Sequence, residues 1–278
     1  MSVTGHRLVL TGASGGLGQA FAMALAKHSS AMVLVGRDQA RLDALHKTIA
    51  ASHPALVVRT VTGDLTEDSV RQRVLEAARA LPGGIDLLIN AAGINDFRDF
   101  EQQAGATIER LLTVNLLLPI QLTQLLLPLL KTAPRAQVIN IGSIFGYLGY
   151  PGFAVYCATK FGLRGFSQAL RRELSDTRVA VRYFAPRAVR TPLTTPAISA
   201  MNRELRTAED APDAVARALM EFIATERWER KLGIPERIYV FLNHLLPAIN
   251  DKAIRGQLHV IRKQLGSGAR ALHTQTKE

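Results

Sequence analysis

The sequence predicts an α/β fold: a doubly wound parallel sheet flanked by helices, with a helical C-terminal extension. Three observations predict it. Short apolar runs and longer helical patterns alternate six times, the rhythm of strands joined by crossover helices. Each run is too short and too apolar to face water, as a strand buried on both faces should be. The first run leads straight into a glycine-rich turn that opens a helix. The 278 residues suit one large domain, and a 47% hydrophobic content supplies its core, while 21% charge excludes a disordered chain.

In chain order, strand 8–11 precedes helix 17–28, strand 32–35 precedes helix 38–50, and strand 56–61 precedes helix 67–80. Strand 87–90 then precedes helix 108–130, strand 138–141 precedes helix 156–174, and strand 179–184 precedes helix 212–225. The stretch 111–130 is the most apolar, but Asn115, Pro119, Gln121, Gln124 and Pro128 interrupt it, so it reads as a buried helix rather than a membrane span. Segment 191–211 carries Pro192 and Pro196 without a strong period. It reads as a loop with a short helix, in the place of a substrate lid. A poor last strand fits 228–232. Beyond Gly233, Pro235 suits the first turn of a helix that Pro247 stops. A further amphipathic helix fits 250–265, with Ile254, Leu258, Ile261 and Leu265 on one side. Residues 1–233 are therefore expected to form the main domain and 234–278 an extension whose last residues are flexible. No fixed-period repeat and no low-complexity segment is present.

The formal net charge is +11. A basic balance suits phosphate-bearing or membrane-surface partners, and equally a solvated surface. From residue 226 onward ten Lys/Arg stand against five Asp/Glu, so the tail holds much of the excess. It lacks interleaved stacking aromatics, and specific nucleic-acid binding is not expected. The single cysteine, Cys157, forms no internal disulfide, which fits a reducing, cytoplasmic compartment. The N-terminus MSVTGHRLVL lacks the features of a signal peptide. His6, His28, His46 and His53 lack metal-ligand spacing, so no metal is expected.

Three motifs carry chemistry. Thr11-Gly12-Ala13-Ser14-Gly15-Gly16-Leu17-Gly18 follows the first strand and opens a helix, where glycines let backbone approach a pyrophosphate and the helix N-terminus favours its charge. This makes the sheet Rossmann-like. The second strand ends in Gly36-Arg37-Asp38. An acid there would bind a ribose 2′-hydroxyl, whereas Arg37, helped by Ser14, would pair with a 2′-phosphate. The alternative leaves Arg37 merely exposed and makes Asp38 a helix N-cap. The balance favours NADP(H) over NAD(H). Third, Tyr156 and Lys160 lie four residues apart on one helical face. An ammonium beside a phenol stabilises phenolate and lowers the tyrosine pKa toward working pH. Thirteen residues upstream, Ile141-Gly142-Ser143 sets a serine hydroxyl at the carboxyl edge of the sheet.

With these motifs in place, the sequence resembles the short-chain dehydrogenase/reductase family over residues 5–225. The resemblance rests on Thr11 to Gly18, Asp64-Leu65, Asn90-Ala91-Ala92-Gly93, Asn115, Ser143 and Tyr156 to Lys160, in the family's order and spacing. It implies that Tyr156 exchanges a proton with the substrate oxygen, that Ser143 hydrogen-bonds that oxygen, and that Lys160 lowers the Tyr156 pKa and holds the nicotinamide ribose. It implies that Asn115 bends its helix and holds a relay water. Gly12, Ser14, Gly16, Leu17, Gly18, Arg37, Asp64, Leu65, Asn90, Ala91, Gly93, Pro186, Val189 and Thr191 would join Tyr156 and Lys160 around the dinucleotide. Thr191 would contact its carboxamide.

Two departures stand out. Where the family has Pro-Gly this chain has Pro186-Arg187, and Arg187 would contact the pyrophosphate, meet an acidic substrate or face solvent. The tail replaces the usual C-terminal tetramer contact, which argues for a homodimer. Ile238, Phe241, Leu242, Leu245 and Leu246 recur there at helical spacing among basic residues. Such a tail would lie on anionic lipid in a peripheral membrane contact, cap the cleft, pack on a second subunit or pack on its own domain. The expected function is an NADP(H)-dependent oxidoreductase interconverting a carbonyl and an alcohol on a lipophilic substrate. The alternative is a dinucleotide-binding sensor or scaffold recruited through the tail.

Overall fold

The computed structural model describes residues 5–275, with side chains through 266. Seven strands form one sheet: β1 (His6–Thr11), β2 (Ser29–Gly36), β3 (Val57–Thr62), β4 (Leu87–Asn90), β5 (Ala136–Ile141), β6 (Val179–Ala185) and β7 (Glu229–Lys231). They are all parallel, in the order β3-β2-β1-β4-β5-β6-β7. The order reverses between β1 and β4, and the carboxyl ends there splay apart to leave a crevice.

Alternation along each strand splits the core into two layers. On one face, Leu8 and Leu10 of β1 meet Phe21 and Leu25 of α1 (Gly16–Ala26), Leu42 and Ile49 of α2 (Gln39–Ser52), and Leu219 of a helix named below. On the other, Val9 meets Val70 and Val74 of α3 (Asp68–Arg79). The central strands are buried at nearly every position. β3 is the exception to the expected two-sided burial: it is an edge strand, with Val57 and Arg59 exposed.

The expected helix 108–130 is three pieces, α4 (Gly105–Leu112), a π-helical turn (Thr113–Leu117) and α5 (Leu118–Thr132). By length and composition Gly105–Thr132 is apolar enough to cross a membrane. Here Leu118, Leu122, Leu126 and Leu130 are instead buried on the second face of the sheet. α6 (Ala154–Glu173) follows β5, and the lid contains α7 (Pro196–Glu204), capped by Thr195, whose Oγ1 accepts from the Ile198 amide. α8 (Pro212–Ile223) carries Leu219. The last strand is real but shorter than expected, pairing three residues with β6.

The tail forms α9 (Ile234–Leu245) and α10 (Pro247–Gln275), the latter longer at both ends than 250–265. Val260, Ile261 and Leu265 are buried against Ile198 and Met201 of α7 and Val155 and Tyr156 of α6. Of the roles expected for the tail, α10 thus packs on its own domain, over the lid and beside the cleft.

Candidate active site

Each site residue is delivered by the carboxyl end of a strand or the helix after it. At the end of β1 Gly12 adopts φ +71°, and a Cβ there would lie 2.9 Å from the Ala91 carbonyl and the Ala92 backbone. Only glycine lets the first turn meet the end of β4 this closely. Thr11 Oγ1 fixes the junction by accepting from the Ala91 and Ala92 amides, both at 3.0 Å. A Cβ on Gly18 would overlap the Gly12 carbonyl, so helix and turn also require glycine there. No side chain caps the N-terminus of α1, which leaves its first amides turned toward the cleft for an anion.

This turn floors a cavity of about 880 Å³ along the strand ends. Gly12, Ser14, Gly16, Leu17, Gly18, Arg37, Asp64, Leu65, Ala91, Gly93, Ser143, Tyr156, Lys160, Pro186, Val189 and Thr191 all line it. Asn90 and Asn115 stand behind it. Asn90 Nδ2 donates to Thr123 and Asn140, which ties β4 to α5 and β5 beneath the crevice. Asn115 sits in the π turn, where it accepts from the Ile94 amide at 2.8 Å and donates to the Ile94 carbonyl at 2.9 Å. A third bond reaches Thr159 Oγ1 of α6.

At the adenine end, Asp38 caps α2 by accepting from the Arg41 amide at 3.0 Å, and its carboxylate also meets the Arg41 guanidinium. Arg37 and Arg41 both reach the cavity wall beside Ser14. Asp64 accepts from the Thr66 amide and hydroxyl, and these bonds hold its carboxyl below the usual range.

At the other end Ser143 stands beside the Tyr156 phenol, and Lys160 Nζ lies 5.6 Å from the Tyr156 ring centroid. The electrostatics differ from expectation. Burial pushes the Tyr156 phenol up to about 12 against the lowering influence of Ser143. The Lys160 ammonium donates to the Ile141 carbonyl at 3.1 Å and is itself pushed down to about 8 by burial. Desolvation is thus the largest influence on both groups. Cys157 points away from the cavity, with its Sγ on the Leu148 carbonyl and its thiol pushed up to about 11 by burial.

Sequence reasoning missed three groups. The first is Tyr183, wholly buried on β6, which accepts from the Ser143 amide and donates to the Lys160 carbonyl. It joins the strand end carrying Ser143 to the helix carrying Lys160, and its place in an apolar strand gave no polar signal. The second is an aromatic wall of Phe145, Tyr150 and Phe153 beside Tyr156, with centroid distances of 5.1–6.4 Å among its rings. The third comes from the tail, where Tyr239, Ile254 and Gln257 line the cavity and Gln257 Oε1 accepts from Tyr150 at 2.7 Å.

Arg187 lines the cavity and is partly exposed, but carboxylates of this chain already engage its guanidinium. It pairs with both carboxylate oxygens of Asp210, at 2.8 and 3.0 Å, and reaches Glu236 of α9 at 3.5 Å. It thereby latches the end of β6 to the return of the lid and the start of the tail.

The donor set suits a nicotinamide dinucleotide. A glycine cradle that Cβ atoms would fill lies at a helix N-terminus, two arginines stand at one end of the cavity, and a Ser–Tyr–Lys group stands at the other. The model of the short chain dehydrogenase family matches residues 6–202. Ketoacyl reductase HetN of Nostoc sp. is 34% identical over 185 residues, 66% of this chain and 64% of that protein, so the chain spans less than two thirds of that relative's length. A short-chain dehydrogenase from Sphingobium yanoikuyae in complex with NADPH shares 27% identity with a TM-score of 0.73, over 88% of this chain and 96% of that one. One from Burkholderia phymatum in complex with NAD superposes with a TM-score of 0.81 over 90% of this chain and 96% of that one, at 22% identity.

Proposed function

The chain belongs to the short-chain dehydrogenase family, and we propose that it is an NADP(H)-dependent oxidoreductase that interconverts a carbonyl and an alcohol on a lipophilic substrate. The observation that carries this reading is the convergence of Ser143, Tyr156 and Lys160 at one end of a cavity whose other end is a glycine cradle. A nicotinamide dinucleotide bound there supplies or accepts the hydride. Its pyrophosphate would rest on the turn from Gly12 to Gly18, and its nicotinamide half would lie toward Lys160 and Thr191.

The chain's own groups handle the proton. Tyr156, a phenol well above neutral pH, holds the proton that passes to the carbonyl oxygen in reduction and retrieves it in oxidation. Ser143 donates to the same oxygen and fixes its distance from Tyr156. The Lys160 ammonium favours phenolate at the moment the proton leaves. Asn115 holds the Ile94 backbone, and with it the β4 end, against α6. Phe145, Tyr150, Phe153, Ile198 and Met201 surround the reacting end with apolar surface, which supports a lipophilic carbonyl.

The NADP(H) preference rests on Arg37 and Arg41 at the cavity wall and on Asp38, which lines the same wall, having its carboxylate engaged by the Arg41 amide and guanidinium. An acid engaged in capping competes poorly for a ribose hydroxyl, whereas two guanidiniums suit a 2′-phosphate. Replacing Arg37 by Ala should weaken NADPH binding about tenfold to a hundredfold, the value of a charge-assisted hydrogen bond, and leave NADH binding nearly unchanged. Equal loss for both would overturn the preference. A homodimer is supported by Leu112, Leu117 and Phe161, which are exposed on α4, the π turn and α6. The reaction itself is tested by NADPH consumption over a panel of small and bulky ketones. Turnover rising with apolar bulk supports the reading. Tight NADPH binding with no turnover on any member favours the sensor.

A further inference from the structure

Helix α9 faces the wrong way for a helix of a soluble core. Its inward side is polar or mixed: Glu236 meets Arg187, Asn243 donates to the Tyr147 carbonyl, and Tyr239 lines the cavity. At about 100° per residue, Ile234, Ile238, Phe241 and Leu245 fall within roughly 60° of one another on the opposite side. Their exposures are 73%, 54%, 62% and 56%, and Leu246 and Ile249 extend the strip past the turn into α10. No residue of α9 is buried. A contiguous strip of this kind marks an interaction surface, unlike singly scattered apolar residues.

Exposed cations share these two helices with the strip and outnumber the one exposed acid among their described residues, Asp251. Arg237 lies on α9, and Lys252 and Arg255 on the first turns of α10, all exposed. The whole chain carries +11, and its last part has ten Lys/Arg against five Asp/Glu. An apolar strip with cations on the same two helices matches the headgroup and outer acyl region of an anionic bilayer. A second copy of this chain matches less well, because twofold pairing would set two faces of the same basic charge against each other.

We propose that α9 is a bilayer-docking helix. It lies flat on an anionic lipid surface with Ile234, Ile238, Phe241 and Leu245 sunk into the boundary region. Because Pro235, Glu236 and Tyr239 of the same helix line the cavity, docking sets the cleft beside the lipid. The docking stands on this surface alone. Its consequence, a substrate drawn from the lipid phase, rests on the oxidoreductase reading above.

The test sediments the full chain with phosphatidylcholine vesicles made with and without phosphatidylglycerol. The wild type should pellet with the anionic vesicles and weaken roughly tenfold or more as salt is raised. The double variant Ile238→Glu/Phe241→Glu should stay in the supernatant with NADPH binding unchanged. Lys252→Glu/Arg255→Glu should lose the preference for anionic vesicles. Wild-type protein that ignores vesicles overturns the proposal, as does a double variant that pellets like wild type. A lipid-free dimer that the double variant converts to monomer, without vesicle binding, assigns the face to a second copy instead. NADPH consumption in free solution reads the catalytic proposal separately, so failure of either is distinguishable from failure of the other.

Discussion

At the scale of single residues, the site is an arrangement of groups whose ordinary ionisation is displaced by burial. Tyr156 is driven up to about 12 and Lys160 down to about 8. The sign for the reaction follows. Reduction needs a protonated phenol and a charged Lys160, and both are present below about 8. As pH rises through that value Lys160 loses its charge while Tyr156 keeps its proton. The reductive kcat/KM should therefore be flat near neutrality and fall by about tenfold per pH unit above the Lys160 pKa. Lys160→Arg, slower overall, should move that fall upward by more than one pH unit, because guanidinium keeps its charge. A pH-rate profile of the two proteins checks both limbs, and an identical midpoint would remove Lys160 from the reaction. At this scale Gly12, Ser143, Tyr156 and Lys160 were legible in the sequence because each lies at a strand end or on the helix that follows it. Phe145, Tyr150 and Phe153 were not legible. They lie in a connecting loop and at the entrance to α6, where no period says which way an aromatic ring turns. The partners of Arg187 were equally hidden, since Asp210 and Glu236 are 23 and 49 residues away in sequence.

At the scale of elements, apolar runs located the six main strands because the interior of a parallel sheet excludes water from both faces. Strand 87–90 and several other ends did not move, and the rest shifted by one to three residues, mostly where pairing extends past the apolar stretch. The break of 108–130 into α4, a π turn and α5 was legible only as the bend that the family resemblance implies at Asn115, since the helical pattern itself marks no boundary there. Asn115 lies inside the widened turn and bonds to Ile94 and Thr159. The tail helices were legible from Pro235 and Pro247. The destination of α10 was not, since an apolar stripe says that a helix packs without saying on what. Its buried residues Val260, Ile261 and Leu265 meet the lid helix α7 and the Tyr156 end of α6. Ile261→Ala should cost about 2–4 kcal/mol, the usual range for a large-to-small change at a fully buried site. Thermal denaturation should show a loss of several degrees. The KM for bulky ketones should rise as the lid loosens, with the NADPH Kd unchanged. An unaltered KM would separate α10 from the substrate end of the cleft.

At the scale of the molecule, the lid and the tail form one cover over a common dinucleotide scaffold. The Arg187 guanidinium joins them, with Asp210 on the lid's return and Glu236 on α9. Asp210→Asn removes the bidentate acceptor while leaving the backbone pairing of Asp210 with Ala188 and Arg190 in place. Amide hydrogen exchange should then quicken in α7 and α9 together and leave β1, β4 and β5 unchanged. Faster exchange in α7 alone would show that the latch does not reach the tail. Whatever the cover selects, the reaction beneath it depends on the Tyr156 hydroxyl. The most direct measurement compares wild type with Tyr156→Phe for NADPH binding and for NADPH consumption on a ketone the wild type reduces. The account predicts binding within a few-fold of wild type and turnover reduced by at least about a hundredfold, the usual value of a positioned acid or base. Turnover retained in the phenylalanine variant would contradict it.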